Sequence, residues 1–446
     1  LAPTKALALQ VLGQPTPPLP MPTYFKSANI WIVVYAAVAL LTYLYTDWQP
    51  TNGLPQGVTL FKAVDLRVYV VALEKASLSE NPYLNSDTLE LRTQYSPRAF
   101  ANVGLGKADV SKVFSYLYPP VFLQLFSVMP KGLWPAWHQI HILSVLAILS
   151  LLGLMALRKA PEALRIGAFL YVLVSYTNPF SSTLWNGQIN IFLAFTIFWG
   201  LYLTQHKHVV LRWAGYVLTA LGFWVKLLPI AFVGLGILAK KKLWPLLSLA
   251  LALVVIAGLS YLQNPGLWQQ YLGMFGTQTQ SLQAMKEVIY HSFGIRGLLQ
   301  SLVLPAVLQA VAYPIVAGGV VLVTAVSVFL DFKKGDVNWA YRALLPVGFC
   351  VYVLMPVSWD HHMAFYLAPL AIGLAAIAQT ERSQLQAVLF YLLVGLLAFA
   401  ATTPRLNLGT HNLLEVIAFR IATLAMLAAL GVRLLMQLVP ESKKVA

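Results

Sequence analysis

A few short polar stretches interrupt an otherwise apolar chain, and they hold the residues able to do chemistry. They are Asp65 in KAVDLRVY (62–69), NPY (81–83), YPP (118–120) and NPFSSTLWNGQIN (178–190). Lys226 in WVKLLP, GTQTQSL (276–282) and SWDHH (358–362) complete the set. Asp65 is a carboxylate that could take a proton from a hydroxyl as general base. It could equally cap a helix beginning at Leu66, where aspartate accepts backbone N–H bonds. Asp360 has the same two readings, base or cap, and His361 and His362 beside it can shuttle a proton or donate to a phosphate oxygen. Lys226 either neutralises an anionic ligand or snorkels to an interface. Gly187, before Gln188 and Asn190, lets a ligand or helix approach the backbone closely. His138 and His141, one helical turn apart, suit plain packing.

The chemistry these stretches exclude is equally informative. There is no P-loop, GxGxxG or GxSxG, and no HExxH or paired-cysteine spacing for a metal. No cofactor or metal is expected. The single cysteine, Cys350, rules out an intrachain disulfide and says nothing of compartment.

The elements that must position these residues are membrane helices. The 446 residues are 59% hydrophobic and only 10% charged, against about 25% charged for a soluble domain. Runs long enough to span lipid predict crossings near 28–46, 135–157, 165–177, 189–204, 211–225, 228–239, 243–262, 306–330, 338–357, 362–379, 384–402 and 411–438. The fifth and sixth are short. They read as two helices meeting at one surface, interrupted by Lys226 and Pro229, not as one kinked span.

With the N-terminus in the cytoplasm, the cytoplasmic segments collect 17 of the 30 basic residues and five of the 15 acidic ones. Such basic loops favour that side. The net charge of +15 sits at the ends of apolar runs, which argues against a nucleic-acid partner. The expected fold is an all-α polytopic membrane protein of about 12 crossings. It divides into a mobile cytoplasmic tail (1–27, proline-rich), one transmembrane catalytic domain (28–440) and a second cytoplasmic tail (441–446). A first external loop spans 47–134 and a second spans 263–292. Within the first, 66–78 and 118–130 read as helices lying in the interface. Every polar stretch named above then falls on the non-cytoplasmic face.

The ordered set VDLRVY, NPY, YPP, NGQIN, KLLP and SWDHH resembles glycosyltransferase family 87. These are C-type, polyprenyl-phosphate-dependent mannosyltransferases, including bacterial enzymes of phosphatidylinositol mannoside assembly. The resemblance spans 64–362. It implies a C-type bundle with juxtamembrane helices in the first external loop and transfer of mannose to a lipid or glycan acceptor hydroxyl, with inversion. Asp65 matches the family's general base. The donor phosphate would meet His361, His362, Lys226 and Tyr118; Asp360, Gln188, Asn190 and Tyr83 would line the sugar or acceptor side. Membrane lipids would be the other partners, in what is expected to be a bacterial plasma membrane. Arg67 inside the first motif departs from the pattern, and 84–113 matches nothing in it. Two other readings stay in play: a transporter or lipid flippase built on the interrupted helices near Lys226, and a non-catalytic membrane subunit.

Overall fold

The computed structural model describes residues 64–83, 118–128, 161–173, 183, 188–240, 242–284, 294–302, 305–335, 338–355, 360–380 and 413–438. The crossings expected at 28–46, 135–157 and 384–402, both tails, and His138 and His141 lie outside the described residues. Every regular element within them is an α-helix. In chain order these are α1 (Val64–Ser77), α2 (Pro120–Ser127), α3 (Glu162–Leu173), α4 (Asn190–Leu203), α5 (Val209–Lys226), α6 (Pro229–Leu238) and α7 (Leu243–Gln263). They continue with α8 (Pro265–Ala284), α9 (Ile295–Ser301), α10 (Ala306–Lys333), α11 (Trp339–Leu354), α12 (Asp360–Thr380) and α13 (Leu413–Leu438).

Five stretches are long and apolar enough to cross a membrane: Val209–Lys226, Leu243–Gln263, Val307–Lys333, His362–Gln379 and Arg420–Leu438. Helices satisfy every interior backbone group within the segment, which hydrocarbon demands. Outward faces are apolar as well. Leu247, Leu251, Val254 and Leu259 of α7, and Val307, Val311, Ile315 and Leu322 of α10, are exposed. Continuous apolar surface of this kind fits lipid and not water. The protein is a helical integral membrane protein.

Between apolar helices in lipid, association depends on close packing, and small residues permit it. The mostly buried α12 lies between α3 and α11. A Cβ on Gly373 would sit 2.5 Å from the Leu345 nitrogen of α11, and the Tyr171 hydroxyl of α3 donates to the Ala364 carbonyl at 2.6 Å.

Small residues also fix the directions of α4, α5 and α6. Gly215 of α5 lies against Leu203 and Thr204, Gly222 against Thr196, and Gly200 of α4 against both Thr219 and Val233. Gly236 of α6 meets Leu201. Partners on α5 therefore descend as α4 ascends, while those on α6 ascend with it. The chain reverses between α5 and α6, so these are two separate helices. At the turn Leu227 takes φ 45°, a left-handed conformation, and Pro229 stands at the first position of α6, where its missing N–H costs nothing.

Two local expectations change. The stretch 263–292, read as a loop, contains the 20-residue α8. Asn264 Oδ1 caps it by accepting the Leu267 N–H at 3.0 Å, and Leu267, Trp268, Tyr271 and Met274 form a buried stripe. And α1 starts at Val64, so Asp65 lies inside its first turn and not at the cap position before Leu66.

Candidate functional site

Four of the polar residues singled out in the sequence meet at one end of α4 and α5. The Lys226 ammonium donates to Asn190 Oδ1 at 2.9 Å and to Gln188 Oε1 at 3.4 Å. The Tyr118 hydroxyl donates to the same Gln188 oxygen at 3.3 Å, and its ring lies 5.9 Å from the ammonium. Gln188 and Asn190 are buried. Their positions follow from the fold. Asn190 is the first residue of α4 and Lys226 the last of α5. Antiparallel packing through Gly215, Gly200 and Gly222 brings those ends together. Tyr118 is delivered by Pro119 and Pro120, which start α2, itself packed on α1, α5, α7 and α8.

The amide orientations follow from chemistry. An ammonium donates and never accepts, so both carboxamides must turn their oxygens toward Lys226. The amino-terminal ends of α4 and α6 lie at this same end, and a helix N-terminus carries partial positive charge. With Lys226 they bias the site toward an anion.

The remaining candidates are placed less closely. Tyr83 is buried against Tyr271 of α8, ring centroids 5.5 Å apart, and its N–H donates to Asn81 Oδ1 at 2.9 Å. Burial, reinforced by Tyr271, pushes its phenol well above the ordinary value. Tyr271 touches Trp268, which touches Trp224, two residues from Lys226. Tyr83 thus approaches the site through a row of rings. His362 is buried near the start of α12. Asp360 and His361 open the same helix, and Asp65 lies in the first turn of α1; these three side chains lie outside the described residues.

One residue was passed over at the level of sequence. Tyr69, fully buried, donates its hydroxyl to Tyr118 at 3.0 Å. In the sequence it stands with Leu66, Val70 and Leu73 on the apolar face of 66–78. The available signal was its place four residues after Asp65, on the same face of one helix.

The model of glycosyltransferase family 87 matches residues 116–356, more than half of the chain. The chain belongs to glycosyltransferase family 87. The match takes in Tyr118, Gln188, Asn190 and Lys226, and leaves Asp65, Tyr83, Asp360, His361 and His362 outside it. No curated protein and no solved structure matches the chain significantly. As a membrane glycosyltransferase it acts on a sugar donor and an acceptor. Family membership favours sugar transfer over the transporter and structural-subunit readings.

Proposed function

We propose that this glycosyltransferase moves mannose from a polyprenyl-phosphate donor to a lipid-linked or glycan acceptor at the non-cytoplasmic face. The observation that carries this reading is the setting of Lys226. It is oriented by two carboxamides, flanked by a tyrosine and set beside two helix N-termini. A leaving phosphate gains charge as the glycosidic bond breaks, and positioned donors at that point lower the barrier. Lys226 supplies such a donor, Tyr118 joins it when its hydroxyl turns from Gln188 to the phosphate, and His361 and His362 add further ones from the start of α12. Asp360, Gln188, Asn190 and Tyr83 belong to the sugar or acceptor side. Gln188 and Asn190 also hold the ammonium.

Asp65 takes the proton from the acceptor hydroxyl. That oxygen bonds to the anomeric carbon as the bond from that carbon to the phosphate oxygen breaks, and the polyprenyl phosphate leaves with the electron pair. Attack opposite the leaving group inverts the centre, so a β-linked donor gives an α-mannoside. No step requires a metal or cofactor.

The architecture proposed for this chemistry has about 12 crossings in a bacterial plasma membrane, with the N-terminus cytoplasmic. The tails 1–27 and 441–446 flank one catalytic domain, and α1 and α2 lie along the outer interface within 47–134. A donor already held in the membrane needs no nucleotide-binding domain, and the apolar surface of α7 beside α2 offers its chain a lipid-facing path.

The test is sugar transfer from radiolabelled polyprenyl-phosphate mannose in membranes, wild type against Asp65→Asn. The expected result is a loss of about 100-fold or more with the variant still inserted and folded. Near-normal transfer by the variant would remove Asp65 as base and move attention to Asp360.

A further inference from the structure

The network around Lys226 does not end at the proposed phosphate site. Because the ammonium only donates, Gln188 Oε1 must accept from it. The Tyr118 hydroxyl therefore gives its proton to that oxygen, at 3.3 Å, and is left to accept from Tyr69, at 3.0 Å. One lysine thereby sets the polarity of a chain of hydrogen bonds that ends on α1, one turn from Asp65. Tyr69 is also gripped as a ring, edge-on to Tyr118, Phe122 and Phe126 at centroid distances of 5.1, 4.9 and 5.9 Å. Its ring packs α1 on α2, whereas its hydroxyl reports to Lys226.

We propose that Tyr69 is a positioning residue, whose hydroxyl couples occupancy of the anion site at Lys226 to the placement of the helix that carries Asp65. This rests on the reading of Asp65 as base and Lys226 as phosphate ligand. When an anion draws the ammonium toward itself, Gln188 and Tyr118 readjust, and the Tyr69 hydroxyl passes that change to α1. The base is thereby held in register when a donor is in place. Small misplacements of a catalytic group are costly, about 100-fold for 1 Å, so a single tether on this helix has leverage over rate.

Tyr69→Phe removes the hydroxyl and keeps all three ring contacts, so the variant should fold. Transfer kinetics should show kcat lowered about tenfold with donor KM within about twofold, the pattern of a lost transition-state contribution. Adding Tyr118→Phe should cost no more than the worse single change, because both break one chain. A kcat for Tyr69→Phe within about twofold of wild type, or effects that multiply in the double variant, would overturn the proposal.

A second measurement does not depend on turnover. Hydrogen–deuterium exchange of peptides covering 64–77 is followed with and without decyl phosphate, a soluble stand-in for the leaving group. Wild type should gain protection there, and Tyr69→Phe and Lys226→Met should not. Equal protection in Tyr69→Phe would sink the coupling. No response in wild type would count against Lys226 as the phosphate ligand, and the tether would then be judged on exchange without ligand. Exchange in 64–77 faster in Tyr69→Phe supports the tether; unchanged exchange refutes it.

Discussion

Two polar clusters stand at opposite ends of the same bundle, one partly and one fully buried, and they handle charge differently. At one end of α4, Lys226 meets the amide oxygens of Gln188 and Asn190. At the other, Gln205 follows α4 and donates to the Tyr341 hydroxyl of α11 at 2.9 Å. Next to Tyr341, Arg342 closes on Asp331 Oδ1 at 2.9 Å, and Arg433 of α13 reaches the same oxygen at 2.8 Å. All three of those charged side chains are fully buried. There, charge is met by charge and three helices are pinned to one carboxylate. The partners of Lys226 include two amide oxygens and a phenol ring, neutral groups that an anion could outcompete. An ion pair sealed from solvent has nothing to exchange, whereas a cation cradled by amides and a phenol can change partners as chemistry proceeds.

The sharpest break of this comparison removes one member from each cluster. Asp331→Asn leaves two buried guanidiniums facing a neutral amide, a change worth about 3–5 kcal/mol when one partner of a buried pair is lost. Its thermal unfolding in detergent should fall steeply and the yield of folded protein with it. Lys226→Met should behave in the opposite way. Its melting temperature should stay near wild type while transfer drops, through a lowered kcat together with a raised donor KM. If Lys226→Met were as destabilising as Asp331→Asn and its residual donor KM normal, Lys226 would be a staple like the other.

A second change tests how the bundle holds the Lys226 cluster together. Gly222 lies one turn from Lys226, and a Cβ there would come within 2.5 Å of Thr196 Oγ1 on α4. Overpacking of this kind costs about 1–3 kcal/mol, and it would push α5 from α4 where Lys226 must reach Asn190. Gly222→Ala should lower melting temperature and kcat together. Thr196→Ala added to it should recover most of both, because it removes the hydroxyl at 2.5 Å and the methyl at 3.2 Å and leaves only the Cβ at 3.0 Å. Recovery of stability without activity would separate helix packing from the site.

Much of this was legible in the sequence, and the failures share a cause. Apolar runs gave helices α4 to α7 and α10 to α13 because spacing and length are local properties. The meeting of Tyr118, Gln188 and Lys226 was foreshadowed by their shared face, since sidedness follows from counting crossings. Which of them touch depended on glycine contacts between α4 and α5 that no single segment reveals. Asp331, Arg342 and Arg433 count among the charges of the cytoplasmic segments, and nothing local shows that they are buried partners, since Asp331 and Arg433 lie 102 residues apart. The helix α8 was hidden by its polar second half, although Asn264–Pro265 and the spacing of Leu267, Trp268, Tyr271 and Met274 announced it. Tyr69 was hidden because a tyrosine on an apolar face looks like packing until its hydroxyl finds a partner.

The smallest effect concerns another buried cation. Lys75, in the last turn of α1, is buried. Burial holds its pKa below the ordinary 10.5, with Glu80 partly opposing the shift. The charged form is therefore penalised in the folded state at neutral pH. Between the lowered folded value and about 10.5, the unfolded chain keeps a proton that the folded one has shed, so this contribution to stability improves as pH rises through that window. Lys75→Met removes the penalty. It should melt slightly higher than wild type at neutral pH, by about 1–2 °C, and the gap should close as the pH approaches 10.5. The measurement is the difference in melting temperature between the two proteins from pH 7 upward. A gap that reverses sign at neutral pH would mean that Lys75 is stabilised by an anionic partner, and would move it from the side of Lys226 to that of the arginines.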